Sequence, residues 1–244
     1  MSKCIFLGLC AVFVLSACEQ QLSQNSAANG ASSKFNSTSN RKALKDYETA
    51  RPLLWKSVYP NGGKTLYCDE TFDSDRRRGF NVEHVFPMSW ATNGLNCGKR
   101  KQCRNTSKVF NLIEADLHNL FPSRSDVNHD RSSARFGEVK GEERRYGKRC
   151  DFEVNSRARV AEPAPDKRGE VARAMFYMAY TYKDQGLVLF KRQAKLLEQW
   201  HRSDPPSKEE KRRNNVIEKI QGNRNVFIDQ PEELHRLVKS GQFY

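Results

Sequence analysis

The apolar residues of the C-terminal half recur at the spacing of α-helices, and this pattern constrains the fold more than any other feature of the chain. In residues 170–183, valine, alanine, methionine and tyrosine stand three or four positions apart, as they do on the buried face of a helix. Residues 187–202 repeat the pattern. A third helix is predicted from Ser207 to Ile220, because Ser207 and Glu210 form a capping-box sequence.

The N-terminal half of the sequence contains shorter and more varied segments. In chain order, they predict an amphipathic helix at 44–60 that ends in the turn sequence PNGG, strands at 64–69 and 79–87, an irregular region at 91–110, and a short helical turn at 114–121 that is stopped by Pro122. A few strands followed by several helices are typical of an α+β fold.

The first 17 residues are predicted to be a signal peptide of the lipoprotein type. A short basic start precedes the apolar residues 4–17, a run too short to span a bilayer comfortably. The sequence LSAC that ends at Cys18 resembles the lipobox of bacterial lipoproteins, so Cys18 is expected to carry the lipid. An exported outer-membrane lipoprotein that faces the periplasm or the outside is therefore expected. Cleavage without lipidation, which gives a secreted or periplasmic protein, is the alternative.

Residues 18–41 are rich in Ser, Asn, Gln and Ala and contain few apolar side chains to bury. Such a composition predicts a flexible tether rather than a packed structure. The folded domain is expected to occupy residues 42–235.

Four cysteines fall within the predicted domain, namely Cys68, Cys97, Cys103 and Cys150. An even number of cysteines in an exported protein predicts two disulfides. Cys97 and Cys103 close a short loop, and Cys68 would then pair with Cys150, although the sequence leaves the connectivity open. A zinc site is the competing interpretation, which the absence of a CxxC motif disfavours.

The chain is strongly basic, with 42 Lys+Arg against 29 Asp+Glu and a formal net charge of +13. Many of these cations are clustered, in residues 76–78, 99–104, 144–149 and 211–213. Clustered positive charge is typical of proteins that bind polyanions such as nucleic acids. General solubility, or attraction to an anionic lipid surface, would give a similar composition.

A carboxylate and an imidazole stand side by side in the apolar stretch FNVEHVFPMSW, at Glu83 and His84. Oxygen ligands suit Mg²⁺, and a neutral histidine is a common general base, so the pair could supply a metal ligand and a base for phosphodiester hydrolysis. A buried hydrogen-bonded pair that only holds the fold is the alternative. The order Glu-His followed by Pro87 does not match the HExxH motif of zinc proteases.

Four separated blocks of sequence closely resemble the bacterial endonuclease I family of exported nucleases, in the order in which the family has them. The blocks are FNVEHVFPMSW, EADLHNLFPSRSDVNHDRSSARFG, AEPAPDKRGEVARAMFYMAYTY and KIQGNRNVFI. The resemblance implies a ββα-metal (His-Me finger) nuclease core, in which a hairpin and a helix form the active site. This core would be embedded in a mixed, helix-rich single α+β domain.

Carried over position by position, the resemblance implies that Glu83 is a direct Mg²⁺ ligand and that Asn128 is the second. Mn²⁺ or Ca²⁺ would be substitute ions. His84 is expected to be the general base, and Arg100 is expected to contact the scissile phosphate. Three polar residues near the start of the second block are expected to orient the site, namely Glu114, His118 and Asn119.

The implied function is a sequence-non-specific endonuclease that hydrolyses DNA and leaves 5′-phosphate ends, with RNA as a second candidate substrate. Phosphate contacts carry no sequence information, and the sequence contains no recognition-helix motif. The protein is expected to be a monomer that meets the membrane only through its N-terminal lipid. A non-catalytic, basic DNA-binding surface lipoprotein is the alternative, and the presence of all four expected site residues counts against it.

Overall fold

The strands are short and lie between residues 63 and 163 of the computed structural model, which describes residues 44–74 and 78–244. The strands are β1 (Gly63–Lys64), β2 (Thr71–Phe72), β3 (Phe80–His84), β4 (Leu120–Arg124), β5 (Arg135–Phe136), β6 (Phe152–Asn155) and β7 (Val160–Pro163). The predicted signal peptide, Cys18 and the whole of the predicted tether lie outside the described residues.

Helices are spread over the whole described chain and become longer toward its C-terminus. They are α1 (Tyr47–Leu53), α2 (Met88–Gly94), α3 (Arg100–Thr106), α4 (Lys108–Glu114), α5 (Ser125–Arg131), α6 (Arg168–Thr181), α7 (Lys191–Ser203), α8 (Lys208–Gln221), α9 (Val226–Asp229) and α10 (Glu232–Lys239). The predicted α+β class is confirmed. No helix among the described residues has the length and apolar character that crossing a membrane requires.

The strands β3 and β4 pair antiparallel and run directly into helix α5. In their register Glu83 lies opposite Phe121, and His84, the last residue of β3, lies opposite Leu120. Helix α5 begins at the residue after β4 ends and contacts β3 through side chains. This unit has the two-strand and one-helix connectivity expected of a ββα core. Strands β5, β7 and β6 form a different sheet, in that order, within residues 135–163.

The prediction of an irregular region at residues 91–110 is wrong, because helices α2, α3 and α4 occupy most of it. Helix α4 begins where the Ser107 hydroxyl accepts a hydrogen bond from Phe110 N, at 3.1 Å. These helices are short, and each buries only a few side chains, so their apolar periodicity is too brief to stand out in the sequence.

Pro122 does not stop the chain segment that precedes it, as the sequence suggested, but lies inside strand β4. A proline is tolerated in a strand where its missing N–H is not needed. The Pro122 carbonyl accepts a hydrogen bond from Leu66 N at 2.9 Å, so the residue still takes part in backbone pairing. The short helical turn that was expected before it is limited to Leu117–Asn119.

The three helices predicted in the C-terminal half are present as α6, α7 and α8. Ser207 and Glu210 form the expected capping box at the start of α8. Helix α7 begins at Lys191, later than predicted, because Gly186 adopts a left-handed conformation with φ of 81° and the next residues are extended. The compact unit extends to Tyr244, and Phe243 is fully buried, so the predicted domain end at residue 235 falls within α10.

Both predicted disulfides form, between Cys68 and Cys150 and between Cys97 and Cys103. All four cysteines are therefore used, which overturns the alternative of a zinc site built from them. The first bridge joins residues 82 positions apart, and the second joins residues only 6 positions apart.

We expect the long-range bridge to contribute more to stability than the short one. In the chain-entropy account a disulfide destabilises the unfolded state more as the loop it closes grows, and the loss of a native bridge typically costs about 2–5 kcal/mol. The double substitution Cys68→Ser with Cys150→Ser should therefore lower the free energy of unfolding more than Cys97→Ser with Cys103→Ser. Urea titrations of both variants measure the difference, and equal losses would contradict the prediction.

Candidate active site

Four of the residues singled out in the sequence line one open cleft of about 890 Å³, and they are Glu83, His84, Arg100 and Asn128. The end of β3 supplies the first two, the start of α3 supplies Arg100, and α5 supplies Asn128. The structure thus brings together side chains that are up to 45 positions apart, since Glu83 and Asn128 sit on adjacent elements of the ββα unit.

The alternation of side chains along β3 sends its last two residues to different partners. Glu83 contacts Tyr67 and Arg131, whereas His84 contacts the C-terminal end of α4 and packs near the ring of Tyr47, with ring centroids 5.2 Å apart. Both side chains are nevertheless lining residues of the same cleft. Glu83 and His84 are therefore buried and hydrogen-bonded, as a pair that only holds the fold would be, but they also line a cleft.

His84 is held in one tautomer by a backbone carbonyl. Its Nε2 lies 3.0 Å from the carbonyl oxygen of Glu114, and a carbonyl can only accept, so Nε2 must carry the proton. Nδ1 then keeps the lone pair of the neutral ring, and it has no hydrogen-bond partner among the described residues. Burial, reinforced by the positive charge of Arg100, lowers the pKa of His84 to about 3.

Glu83 is 2% exposed and is held by two donors that sequence reasoning did not single out. Its Oε1 accepts from the Tyr67 hydroxyl at 2.7 Å and forms an ion pair with Arg131 Nη1 at 2.9 Å. Burial raises the pKa of the Glu83 carboxyl, against the opposing influence of Arg131 and Tyr67. Arg131 stands three positions after Asn128, in the same block of sequence that resembles the family, and this position was the available signal for it.

Arg131 also fixes the backbone at the end of β3. Its guanidinium is fully buried and donates to the carbonyl oxygens of His84 at 3.0 Å and Val85 at 2.5 Å. One side chain on α5 therefore sets the position of Glu83 and of the strand end that carries His84.

Asn128 presents its amide oxygen as the group left for a ligand. Its Nδ2 donates to Asn81 Oδ1 at 2.8 Å and to the Val82 carbonyl at 3.1 Å, so both amide hydrogens are used. Together, the Glu83 carboxylate and the Asn128 amide oxygen form a set of hard oxygen donors. This donor set fits Mg²⁺, which binds through one or two protein oxygens and keeps several waters.

Glu114 does not line the cleft itself, but it holds two arginines that do. Its carboxylate is 1% exposed and binds Arg100 through Nε at 2.5 Å and Arg104 through Nε at 2.7 Å and Nη2 at 2.9 Å. One negative charge thus holds two guanidinium groups, and both arginines remain partly exposed in the cleft. Arg104 was not singled out from the sequence, although it stands four positions after Arg100 at helical spacing.

Asn119 and His118 do not line the cleft. The side chain of Asn119 forms two hydrogen bonds with the backbone of Phe86, at 2.7 Å to N and 3.1 Å to O, and so holds the chain just beyond β3. His118 contacts the Asn223 carbonyl through Nε2 at 3.1 Å and packs on the Tyr177 ring. His118 is thus buried beside Tyr177 and Asn223, while its backbone and that of Asn119 both donate to Asp116.

Comparison with known proteins relates the whole of this region to nucleases. The family model described as Endonuclease I matches residues 16–232. An extracellular deoxyribonuclease of Aeromonas hydrophila is 40% identical over 160 residues, covering 64% of this chain and 67% of that protein. A periplasmic deoxyribonuclease of the same organism is 42% identical over 151 residues, covering 60% of this chain and 62% of that protein.

A more distant relative is an extracellular ribonuclease of Bacillus subtilis, 29% identical over 192 residues, which cover 71% of this chain and 60% of that protein. The chain therefore spans between 60% and 67% of the length of these three curated relatives. The matched range contains every residue of the cleft, and the chain belongs to the Endonuclease I family.

Proposed function

We propose that the protein is an endonuclease that hydrolyses the phosphodiester bonds of DNA without sequence preference, with His84 as its general base. The observation that carries this proposal is the hydrogen bond from His84 Nε2 to the Glu114 carbonyl. It leaves the basic nitrogen of a neutral imidazole on the wall of an open cleft, beside a buried carboxylate and two arginines. A purely structural histidine would have no need of a free nitrogen there.

The residues of the cleft divide the work of the reaction among them. Nδ1 of His84 takes a proton from the water that attacks the phosphorus. Arg100 and Arg104 offset the negative charge that grows on the phosphoryl oxygens, and Glu114 keeps both guanidinium groups in place. Cleavage of the bond to the 3′-oxygen, which takes up a proton from solvent water as it leaves, gives a 3′-hydroxyl on one fragment and a 5′-phosphate on the other.

Glu83 and Asn128 would hold the Mg²⁺ ion. When bound, Mg²⁺ supplies electrostatic stabilisation to the phosphoryl group and to the departing oxygen. Arg131 and Tyr67 orient the Glu83 carboxylate by their bonds to Oε1, and Asn81 and the Val82 carbonyl bind the amide nitrogen of Asn128, which leaves its oxygen as the donor. Mn²⁺ or Ca²⁺ would be accepted by the same oxygens.

The substrate proposed first is DNA, because the relatives with the highest identity reported above are named deoxyribonucleases. The ribonuclease relative supports RNA as a second substrate. The cations of the cleft contact phosphates, which are common to all sequences, so low selectivity is expected.

We further propose that the protein is exported, in agreement with the extracellular and periplasmic names of these relatives and with its two disulfides. Lipidation at Cys18 and a monomeric state are parts of the same proposal.

Loss of the general base should nearly abolish cleavage. The substitution His84→Ala is expected to lower the rate of plasmid nicking in Mg²⁺ by about 10²–10⁴-fold, while DNA binding is retained. The matched control is His235→Ala, because His235 is a half-exposed histidine on α10 that does not line the cleft. Full activity of the His84→Ala protein would exclude the assignment, and inactivity of wild type with and without EDTA would favour a non-catalytic DNA-binding protein.

Loss of the amide ligand should weaken the binding of the metal to a measurable degree. Asn128→Ala is expected to raise the Mg²⁺ concentration needed for half-maximal cleavage by at least about tenfold. Asn128→Asp keeps an oxygen donor, so its half-maximal Mg²⁺ concentration should be lower than that of Asn128→Ala. Nicking rates over a series of MgCl₂ concentrations measure this. An unchanged Mg²⁺ requirement in Asn128→Ala would remove Asn128 from the metal site.

Binding should fall steeply with salt, because it depends on phosphate contacts. In a His84→Ala background, Lys99→Ala removes an exposed cation of the cleft and should reduce the slope of log K against log salt by about 1. The control is Lys219→Ala, which removes an exposed lysine of α8 outside the cleft and should leave the slope unchanged. Equal slopes for both variants would show that DNA does not pass over this part of the cleft.

A further inference from the structure

A second group of carboxylates lies outside the cleft, on the segment that leads into strand β6. Glu142, Asp151 and Glu153 each offer an oxygen, and these three oxygens all lie within 4.8 Å of one another. None of the three residues lines the active-site cleft, and none was singled out from the sequence. Negative charges this close repel one another unless something else is bound between them.

Glu153 is the unusual member of this group. It is 6% exposed, and its Oε1 is buried with no hydrogen-bond partner among the described residues. Leaving a buried carboxylate oxygen unpaired is costly, since the group has lost water and gained nothing in return. Burial, followed by the nearby charges of Asp151 and Glu142, raises the pKa of Glu153 to about 7.

The neighbouring groups of the protein do not relieve this cost. In the register of β6 and β7, Glu153 stands opposite Glu162, a residue of like charge. The oxygens of Glu162 are already engaged, with Arg168 and with Val139 N. Arg168 is thus committed to Glu162 rather than to Glu153.

One cation does reach the cluster, but it serves the other two members. Arg144 forms ion pairs with Asp151 at 2.7 Å and with Glu142 at 3.3 Å. Its side chain is 39% exposed and so is free to turn toward solvent. Three carboxylates therefore share one guanidinium, which leaves the equivalent of two negative charges without compensation when all three are ionised.

We propose that Glu142, Asp151 and Glu153 form a binding site for a calcium ion, separate from the active site. The donors are oxygens only, as hard cations require, and a dipositive ion would cancel the uncompensated charge. Ca²⁺ suits the site better than Mg²⁺, because it accepts six to eight oxygens in irregular geometry whereas Mg²⁺ requires a near-ideal octahedron. Backbone carbonyls or water would complete its coordination. A dissociation constant of about 10⁻⁴–10⁻³ M is expected, as for calcium-binding modules outside the cell.

The proposed ion would stabilise a segment that packs on the catalytic unit. Between Glu142 and Asp151, the Tyr146 hydroxyl donates to Asp130 at 2.8 Å, and Arg145 pairs with Asp130 at 3.2 Å. Asp130 belongs to α5, the helix that carries Asn128. The same segment is tied to the rest of the protein by Cys150. The calcium site would thus support α5 from outside without touching substrate.

Calorimetric titration of the full, EDTA-treated protein with CaCl₂ tests this inference. The comparison uses Glu153→Gln, which keeps the shape of the side chain and removes its charge, and Asn128→Ala, which alters only the active site. We expect a binding event that disappears in Glu153→Gln and persists in Asn128→Ala. Loss of all calcium binding in Asn128→Ala, or unchanged binding in Glu153→Gln, would overturn the proposal.

Thermal unfolding gives a second readout that does not depend on nuclease activity. The comparison is made in the Asn128→Ala background, so that calcium bound at the active site does not contribute. At 10 mM CaCl₂, the midpoint of Asn128→Ala should rise by about 3–8 °C, and that of Asn128→Ala with Glu153→Gln should not. Glu142→Gln, at an exposed position, serves if Glu153→Gln fails to fold, and it should reduce the shift at least by half. A shift of the same size with and without Glu142→Gln would contradict the site. Because nicking in Mg²⁺ is measured separately, a failure here leaves the proposed function untouched.

Discussion

The hydrogen bond between His84 and the Glu114 carbonyl is the contact on which the rest of the cleft depends. It joins the end of a strand to the end of a helix, and it selects the tautomer in which the outward nitrogen is basic. The side chain of the same residue holds Arg100 and Arg104. The backbone of Glu114 thus fixes the tautomer of His84, the proposed base, and its carboxylate binds the two arginines. A shift of α4 would disturb both at once.

The other side of the cleft rests on a buried ion pair. Glu83 and Arg131 are both almost fully buried, and such a pair gains little net stability because each charge has lost its water. Its value lies in position, since Arg131 also binds the carbonyls of His84 and Val85. Removal of either partner would leave a charge unpaired in the interior, which is costly. Helix α5 is therefore fixed to β3 by the same side chain that orients the carboxylate.

The sequence allowed prediction of the class of fold and of the long helices, and the pair Glu83 and His84 that it singled out lines the cleft. Helices α6 and α8 could be predicted because long apolar periodicity and a capping box are local signals. Helices α2 to α4 could not, because each is too short for its periodicity to be distinct. Arg131 and Tyr67 were missed for a different reason, since their role depends on burial beside Glu83, which no local pattern encodes. His118, which was expected to orient the site, does not line the cleft and contacts the Asn223 carbonyl, so its supporting role stays a prediction.

The proposed role of His84 as the general base is tested most directly by the protonation state of its two ring nitrogens. Nitrogen NMR of protein labelled with ¹⁵N-histidine, with His84 assigned from the spectrum of His84→Ala, distinguishes a protonated ring nitrogen from a bare one. At neutral pH we expect the His84 ring to be neutral, protonated at Nε2 and bare at Nδ1. A ring protonated at Nδ1, or an imidazolium with both nitrogens protonated, would contradict the proposed role of His84 as the base.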